Sequence, residues 1–427
     1  MLRSGVQHLS RHIQQGALST RNINKASVSL LQSTKMPEGM ASFSSQPSNT
    51  HPQLTLDSMN PNLREAQYAV RGEIVLRAME HKAALDRGEH RPFEKVIHCN
   101  IGNPQELGQK PLTFPREVLA LLNFPDLLDN PKCAEIFSQE AIRRAQFYNE
   151  RIPGGVGAYS NSQGKSFASS HVGEVVIKAY CCCWAGVECV REEVAEFLQK
   201  RDGYAATSGN IFLTDGASPG VQAIIRAIIR NKSDGVMIPI PQYPLYSASL
   251  ALYGGQSVGY ELDEEADWGT NTNELYSSYA KAAENGCNVR AIAVINPGNP
   301  TGGCLSEQAM KSLLTFCHEK GLVLMADEVY QDNIWTDEKS WHSFKKVAAD
   351  MGLIDPNNPL DSTRNSIQLV SFHSVSKGYL GECGRRGGYM ELIGFDEDVK
   401  QEIYKLASIS LCSNVVGQVS VSNAIMF

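Results

Sequence analysis

Residues 371–390 read "SFHSVSKGYLGECGRRGGYM". The stretch before them, "NSIQLV", is an apolar run of strand length, so the segment reads as a buried strand that ends on a lysine, Lys377. Lysine normally lies in solvent. At a strand end beside a dry pocket its pKa falls, and the neutral amine can form an imine with a carbonyl compound. Groups that suit an anion stand around it. Ser374 precedes Lys377, Arg386 follows it with a charged fork, and Gly387 and Gly388 let the backbone come close. An aldehyde that carries a phosphate meets both demands.

Working outward, "NIFLTDGAS", "GVMIPIPQYP", "AIAVINPGNPTGG" and "LVLMADEVY" are further short apolar runs. They alternate with helical patterns such as "PGVQAIIRAIIR" and "SEQAMKSLLTFCHEKG". Strands that are apolar throughout are buried on both faces, so the expected fold is α/β, with a mainly parallel central sheet and helices on both faces. Upstream, "NLREAQYAVRGEIVLRAMEHKAALDRG" predicts one helix ending at Gly88, and "FEKVIHCNIGNP" predicts a short strand and a turn. No internal repeat is visible.

Asp215, Tyr243, Asn299, Asp327 and Lys377 each fall at or just past the C-terminal end of an apolar run. Open α/β sheets bind ligands along that edge. "DGAS" opens the helix near Pro219 and aims backbone amides at an anion. A carboxylate at Asp327 suits an ion pair with a ring nitrogen, and a protonated pyridine ring is an electron sink for a carbanion. Tyr330 and Asn299 can donate to a phenolate oxygen on such a ring, and Tyr243 can stack on its face.

Composition excludes other classes. Hydrophobic residues make up 42% of the 427-residue chain and charged residues 20%, as in ordinary globular proteins. The net charge of −7, with no basic run, argues against nucleic-acid binding. The most apolar run, "VIKAYCCCWAGV", is too short for a membrane span. The 11 cysteines are scattered, and Cys181, Cys182 and Cys183 lack the paired spacing of a zinc site, so reduced thiols and no metal are expected. "GGVGAYS" lacks the third glycine and the preceding strand of a dinucleotide-binding turn. Before Asp57 a single acid, Glu38, stands against Arg3, Arg11, Arg21, Lys25 and Lys35 in a serine-rich context. That composition predicts a mitochondrial transit peptide that ends before Leu54, and so a matrix location.

"NPGNPTGG", "ADEVY" and "SVSKGYLGECGRRGGY" together resemble the fold-type I, aspartate-aminotransferase-like family of pyridoxal-phosphate enzymes. "CNIGNPQELGQKPLTFPREVLAL", "IPQYPLYSASLALYGG" and "GECGRRGGYMEL" resemble its alanine aminotransferase branch. The resemblance runs from about Leu56 to about Gln418. It implies that Lys377 binds the cofactor as an imine and shuttles the substrate proton, and that Asp327 pairs with the pyridine nitrogen. It also implies that Tyr330 and Asn299 bind the 3′-oxygen, that Ala217, Ser218, Ser374 and Arg386 hold the phosphate, and that Tyr243 stacks on the ring. Arg386 is preferred to Arg385 because the family arginine directly precedes the glycine-rich strand. Tyr159, in "GAYSNSQG", resembles a tyrosine lent to the neighbouring subunit's phosphate, which implies a homodimer. Gly102 resembles a backbone position near the substrate carboxylate. The implied reaction is ping-pong transfer of an amino group from L-alanine to 2-oxoglutarate, giving pyruvate and L-glutamate. Glutamate:glyoxylate transamination and a non-catalytic cofactor-binding fragment are alternatives, while "GECGRRGGYMEL" argues against a lyase of the aminocyclopropane-carboxylate synthase type.

The implied organisation is a targeting segment over 1–55, an N-terminal arm and part of a small domain over 56–105, a large cofactor-binding domain over 106–392, and the start of a small domain over 393–427. Two departures stand out. "KSFASSHVGEVVIKAYCCCWAG", residues 165–186, interrupts the family pattern between Tyr159 and the helix "ECVREEVAEFLQKRDGY". It is too apolar for a loop and has no helical stripe, so it reads as an atypical insertion of translated non-coding sequence. The family also continues past the position of Phe427, where its substrate-carboxylate arginine lies. The expectation is therefore an incomplete small domain and a chain impaired in turnover.

Overall fold

The structure, a computed structural model, describes residues 55–68, 72–98, 101–152, 154–160, 185–355 and 366–426. The chain divides into two units, Met1–Ser58 and Met59–Phe427. Of the first, only a turn is described, in which the Thr55 N–H donates to Ser58 Oγ. Residues 1–54 of the proposed targeting segment lie outside the described residues, as do residues 165–184 of the atypical insertion.

The second unit starts with helices α1 (Pro61–Glu65), α2 (Glu73–Asp86), α3 (Thr113–Asn123), α4 (Cys133–Ile136), α5 (Gln139–Arg151) and α6 (Glu188–Asp202). An alternating region follows. It runs β1 (Ile211–Thr214), α7 (Ala217–Ile228), β2 (Asp234–Ile240), α8 (Leu245–Tyr253), β3 (Gln256–Asp263), β4 (Gly269–Thr270), α9 (Thr272–Glu284) and β5 (Asn288–Ile295). It continues with α10 (Glu307–Lys320), β6 (Val323–Asp327), α11 (Phe344–Asp350), β7 (Leu369–Ser374), β8 (Gly388–Ile393), α12 (Glu397–Ser408) and α13 (Val415–Ala424). Local signals set these limits. The Ser306 hydroxyl accepts from Ala309 N–H at the start of α10, and Gly321, at φ 63°, ends it.

The strands form one eight-stranded sheet in the order β1-β8-β7-β6-β5-β2-β3-β4. β3, β2, β5, β6 and β7 are parallel neighbours, as expected for short apolar strands with helical crossovers. β8 runs antiparallel to both β7 and β1, and β4 antiparallel to β3. Alternate side chains enter opposite cores. Val236, Ala291, Ala293, Met325, Val370 and Phe372 pack with α7, α8 and α12. Met237, Ile292, Val294, Leu324 and Leu369 pack with α9, α10 and α11. Both faces are thus covered, which explains why the strands read as unbroken apolar runs. A third cluster joins α3, α5, α6 and α13 to Leu213 and Tyr389. Ala185 belongs to the sheet face too: it is buried, and its carbonyl accepts from Leu213 N–H at 2.7 Å.

Two local expectations are corrected. Instead of one helix ending at Gly88, the arm has α1, an extended stretch at 66–68, and then α2. The break places Tyr68 against Tyr243, a tertiary contact that outweighs helix propensity. "FEKVIHC" forms no strand among its described residues; Ile97 is exposed, so no core holds the segment flat.

Lys345, on α11, lies buried against Glu391 of β8, with 2.7 Å between Nζ and Oε1. The other Glu391 oxygen has no partner among the described residues, so the pair is the charge compensation of this carboxylate. Replacing Lys345 with Met strands a buried charge and should lower unfolding free energy by about 3–5 kcal/mol. Urea denaturation checks this. The double variant Lys345→Met/Glu391→Leu should recover most of the loss, and a loss under about 1 kcal/mol for the single variant would contradict the role assigned to the pair.

Candidate active site

The C-terminal ends of the parallel strands open into a cavity of about 410 Å³. Ala217, Ser218, Tyr243, Asn299, Asp327, Tyr330, Ser374, Lys377, Arg386 and Gly102, all singled out from the sequence, line it. Tyr159 does not. It is exposed and lines a separate surface hollow with Asp215, Cys412 and Asn414.

Sheet register builds this convergence. Asp327 ends β6 opposite Ile295 of β5 and Phe372 of β7. Ser374 ends β7 opposite Gly388, which in turn faces Thr214 of β1. The chain then turns to Lys377, whose ammonium donates to the carbonyl of Gly102. A Cβ at position 102 would stand 2.8 Å from Nζ, so a larger residue there would require the end of the lysine side chain to shift. Burial pushes Lys377 below its ordinary pKa, and the neighbouring Cys383 sulfur offsets part of that shift.

Asp327 is buried, and burial raises its carboxyl to about 6. The hydroxyl of Tyr246 donates to its Oδ2 at 2.9 Å and the Val329 N–H to Oδ1 at 3.3 Å, both in favour of the ionised form. No cationic side chain of the described residues shifts it. Nearby, Asn299 Nδ2 donates to the Tyr330 hydroxyl at 3.2 Å. Burial first, and the Asp327 charge second, raise the Tyr330 phenol.

The opposite end of the cavity suits an anion. α7 starts at Ala217 after Gly216, at φ 85°, with no side-chain cap, so its first amides face the cavity end at Ala217 and Ser218. Arg386, itself in left-handed backbone at φ 53°, donates through Nη2 to the Asp215 carbonyl at 2.9 Å. A Cβ at Gly216 would stand 2.5 Å from that nitrogen. Ser374 Oγ lies 2.9 Å from Ser376 Oγ and 3.1 Å from the Gly387 carbonyl. Arg385 is not part of this end; it pairs loosely with Glu382 at 3.7 Å.

Sequence reasoning missed several members. Tyr68, Ser376 and Cys383 line the cavity, and Tyr246 holds Asp327 from behind. Ser376 lies inside the decisive stretch and was legible there as a second hydroxyl. Tyr246 and Tyr68 acquire their roles only from tertiary contacts, which no spacing announces.

Tyr246→Phe provides a signed test. In the wild type the folded pKa of Asp327, about 6, lies above its ordinary 3.8. This group therefore costs progressively more stability as pH rises from 3.8 to about 6, and a constant amount above. Removing the donor extends that fall to higher pH. The variant should lose about 0.5–1.5 kcal/mol near pH 4, where the carboxyl is neutral, and about 1.5–3 kcal/mol at pH 8. Denaturant unfolding across that range checks it, and a pH-independent loss would contradict it.

Comparison with known proteins agrees with this geometry. The family model described as aminotransferase class I and II matches residues 181–426. The chain is 48% identical over 374 residues to a probable mitochondrial alanine aminotransferase of Dictyostelium discoideum, covering 86% of this chain and 64% of the relative. It is 47% identical to a mitochondrial alanine aminotransferase 1 of Arabidopsis thaliana, covering 86% and 63%. The glutamate–glyoxylate aminotransferase 1 of the same plant is also 47% identical, covering 86% and 68%. The chain thus spans less than two thirds of the length of the first two relatives. Among solved structures, an alanine aminotransferase from Pyrococcus furiosus shares the fold with a TM-score of 0.61 at 22% identity, covering 86% of this chain and 72% of that one. With a matching family model over more than half its length, strand ends that converge on Lys377, and the mainly parallel sheet of fold type I, the chain belongs to the class I and II aminotransferases.

Proposed function

We propose that the cavity holds pyridoxal 5′-phosphate and that the chain carries out transamination between L-alanine and 2-oxoglutarate. The observation that carries the cofactor is the donor set. A buried carboxylate with no cation acting on it among the described residues, a lysine with a lowered pKa, and an anion end built from Arg386 and the start of α7 share one cavity. These match a ring nitrogen, an aldehyde and a phosphate in one molecule. When bound, that group supplies an electron sink for the bond broken at the substrate α-carbon.

The chain's own residues do the rest. Lys377 Nζ holds or releases a proton at the inner end of the cavity, and its lowered pKa keeps a neutral amine accessible. Asp327 would pair with the ring nitrogen of the bound group, and Tyr246 favours the ionised carboxylate with its hydrogen bond. Asn299 and Tyr330 present polar groups beside it, and Tyr243 covers a face of the cavity. Ala217, Ser218, Ser374 and Arg386 bind the phosphate, and the Gly102 carbonyl orients Lys377 near the substrate.

The choice of alanine rests on the relatives, of which several are named alanine aminotransferases. The equally similar glutamate–glyoxylate enzymes favour glyoxylate as a second reading of the acceptor. Tyr159 stands exposed in a hollow with Asp215 and Asn414, which supports a role on the phosphate of a second copy and hence a homodimer as the working assembly. A mitochondrial location is supported by the N-terminal composition and by relatives named mitochondrial. The organisation proposed is an N-terminal arm and part of a small domain over 56–105, a large cofactor-binding domain over 106–392 and the start of a small domain over 393–427.

The test is pyruvate release from L-alanine by the chain with pyridoxal 5′-phosphate, with 2-oxoglutarate or glyoxylate as acceptor. Release with either acceptor is expected, and a higher kcat/KM selects between the two. Lys377→Arg should lower the rate by at least about 100-fold, since it removes both the nucleophile and the proton carrier. Release that survives Lys377→Arg would contradict the assignment.

A further inference from the structure

Within the 61–68 segment of the N-terminal arm, Tyr68 lines the cavity. α1 seats on α8, where Asn62 Nδ2 donates to the Leu252 carbonyl at 3.2 Å. A Cβ at Gly254 would stand 3.3 Å from the same nitrogen, so glycine there leaves room for the seat. The helix ends at Ala66, whose N–H still donates to the Asn62 carbonyl, and the chain runs extended to Tyr68. The Tyr68 hydroxyl lies 2.5 Å from that of Tyr243, with the rings edge to face at 76° and their centroids 6.2 Å apart. Both tyrosines line the cavity.

Two hydroxyls in one contact share one proton, so one donates and the other accepts. Burial and the bond to Tyr68 both raise the Tyr243 phenol. Either hydroxyl can donate in this contact, and the O–H of the one that accepts remains available to the cavity or to water. The contact spans two elements far apart in sequence. It holds the Tyr243 ring from outside the sheet, and it holds the arm from inside the cavity.

We infer that Tyr68 is a positioning residue that fixes the Tyr243 ring over the cavity and so couples docking of the 61–68 arm to occupation of the cavity. This rests on the proposal that the cavity takes pyridoxal 5′-phosphate. Coupling is reciprocal: if the docked arm strengthens binding of the cofactor, the cofactor strengthens docking of the arm by the same factor.

Hydrogen exchange of the 61–68 segment in the full chain, with and without pyridoxal 5′-phosphate, reads the coupling directly. In the wild type the cofactor should slow exchange there. Tyr68→Phe keeps the ring and removes only the hydroxyl. It should bind the cofactor about two- to tenfold more weakly, the worth of one neutral hydrogen bond, and lose most of the slowing. Tyr243→Phe should do the same by removing the other half of the bond. The double variant should bind no more weakly than the weaker single variant, because both remove one interaction. Unchanged exchange in the wild type, unchanged affinity in Tyr68→Phe, or additive losses would each overturn the inference. Borohydride reduction separates the two levels. A pyridoxyl group fixed on Lys377 together with unchanged arm exchange overturns the coupling alone, whereas no fixation in the wild type overturns the cofactor assignment beneath it.

Discussion

Parallel pairing of β5, β6 and β7 is the constraint on which the site depends. Its register sets Asp327 between Ile295 and Phe372, and it brings Ser374 and the turn to Lys377 to the same edge. β2, β5, β6 and β7 are covered on both faces, and a one-residue shift would exchange the side chains of two cores that pack against different helices, so close packing on each side holds the register. Polar chemistry is thereby confined to the strand ends, where backbone pairing stops and side chains can face a cavity. Burial at that edge then shifts the pKa values. Asp327 rises and Lys377 falls for the same physical reason, loss of water around a charge.

Charges inside such a fold need compensation, and two solutions occur. Lys345 and Glu391 compensate each other within the core and are structural. Asp327 is compensated only in part, by the Tyr246 hydroxyl and the Val329 amide, and remains open to a cation from the cavity. That difference separates a site from a core ion pair. The anion end has the complementary property, since Arg386 and the amides of α7 are held mainly by backbone carbonyls or by nothing, and stay free to meet negative charge.

Much of this was legible in the sequence for a stated reason. Short apolar runs punctuated by Tyr243, Asn299, Asp327 and Lys377 mark strands that end at the cavity, whereas Asp215 ends its strand at the same edge but faces a separate hollow, where its carboxylate accepts from Asn414. The antiparallel return of β8 was less legible, because "GGYMELI" has the same apolar character as the parallel strands of the sheet and direction leaves no trace in periodicity. The arm misled for the opposite reason. Residues 62–88 carry a helical stripe, yet Ala66 to Tyr68 is extended, because Asn62 is anchored on α8 and Tyr68 reaches Tyr243. Tyr246 was invisible as a site residue since its partner lies 81 positions away. Contacts of that range arise from the fold and not from local pattern.

The account's central claim is that these strand ends compose one cofactor site anchored on Lys377. A crystal structure of the chain grown with pyridoxal 5′-phosphate tests it most directly. The account predicts density continuous with Lys377 Nζ, the ring nitrogen at Asp327, and the phosphate between Arg386, Ser374 and the start of α7. A free Lys377 with the cofactor bound elsewhere, or with its phosphate at the Asp327 end, would contradict it.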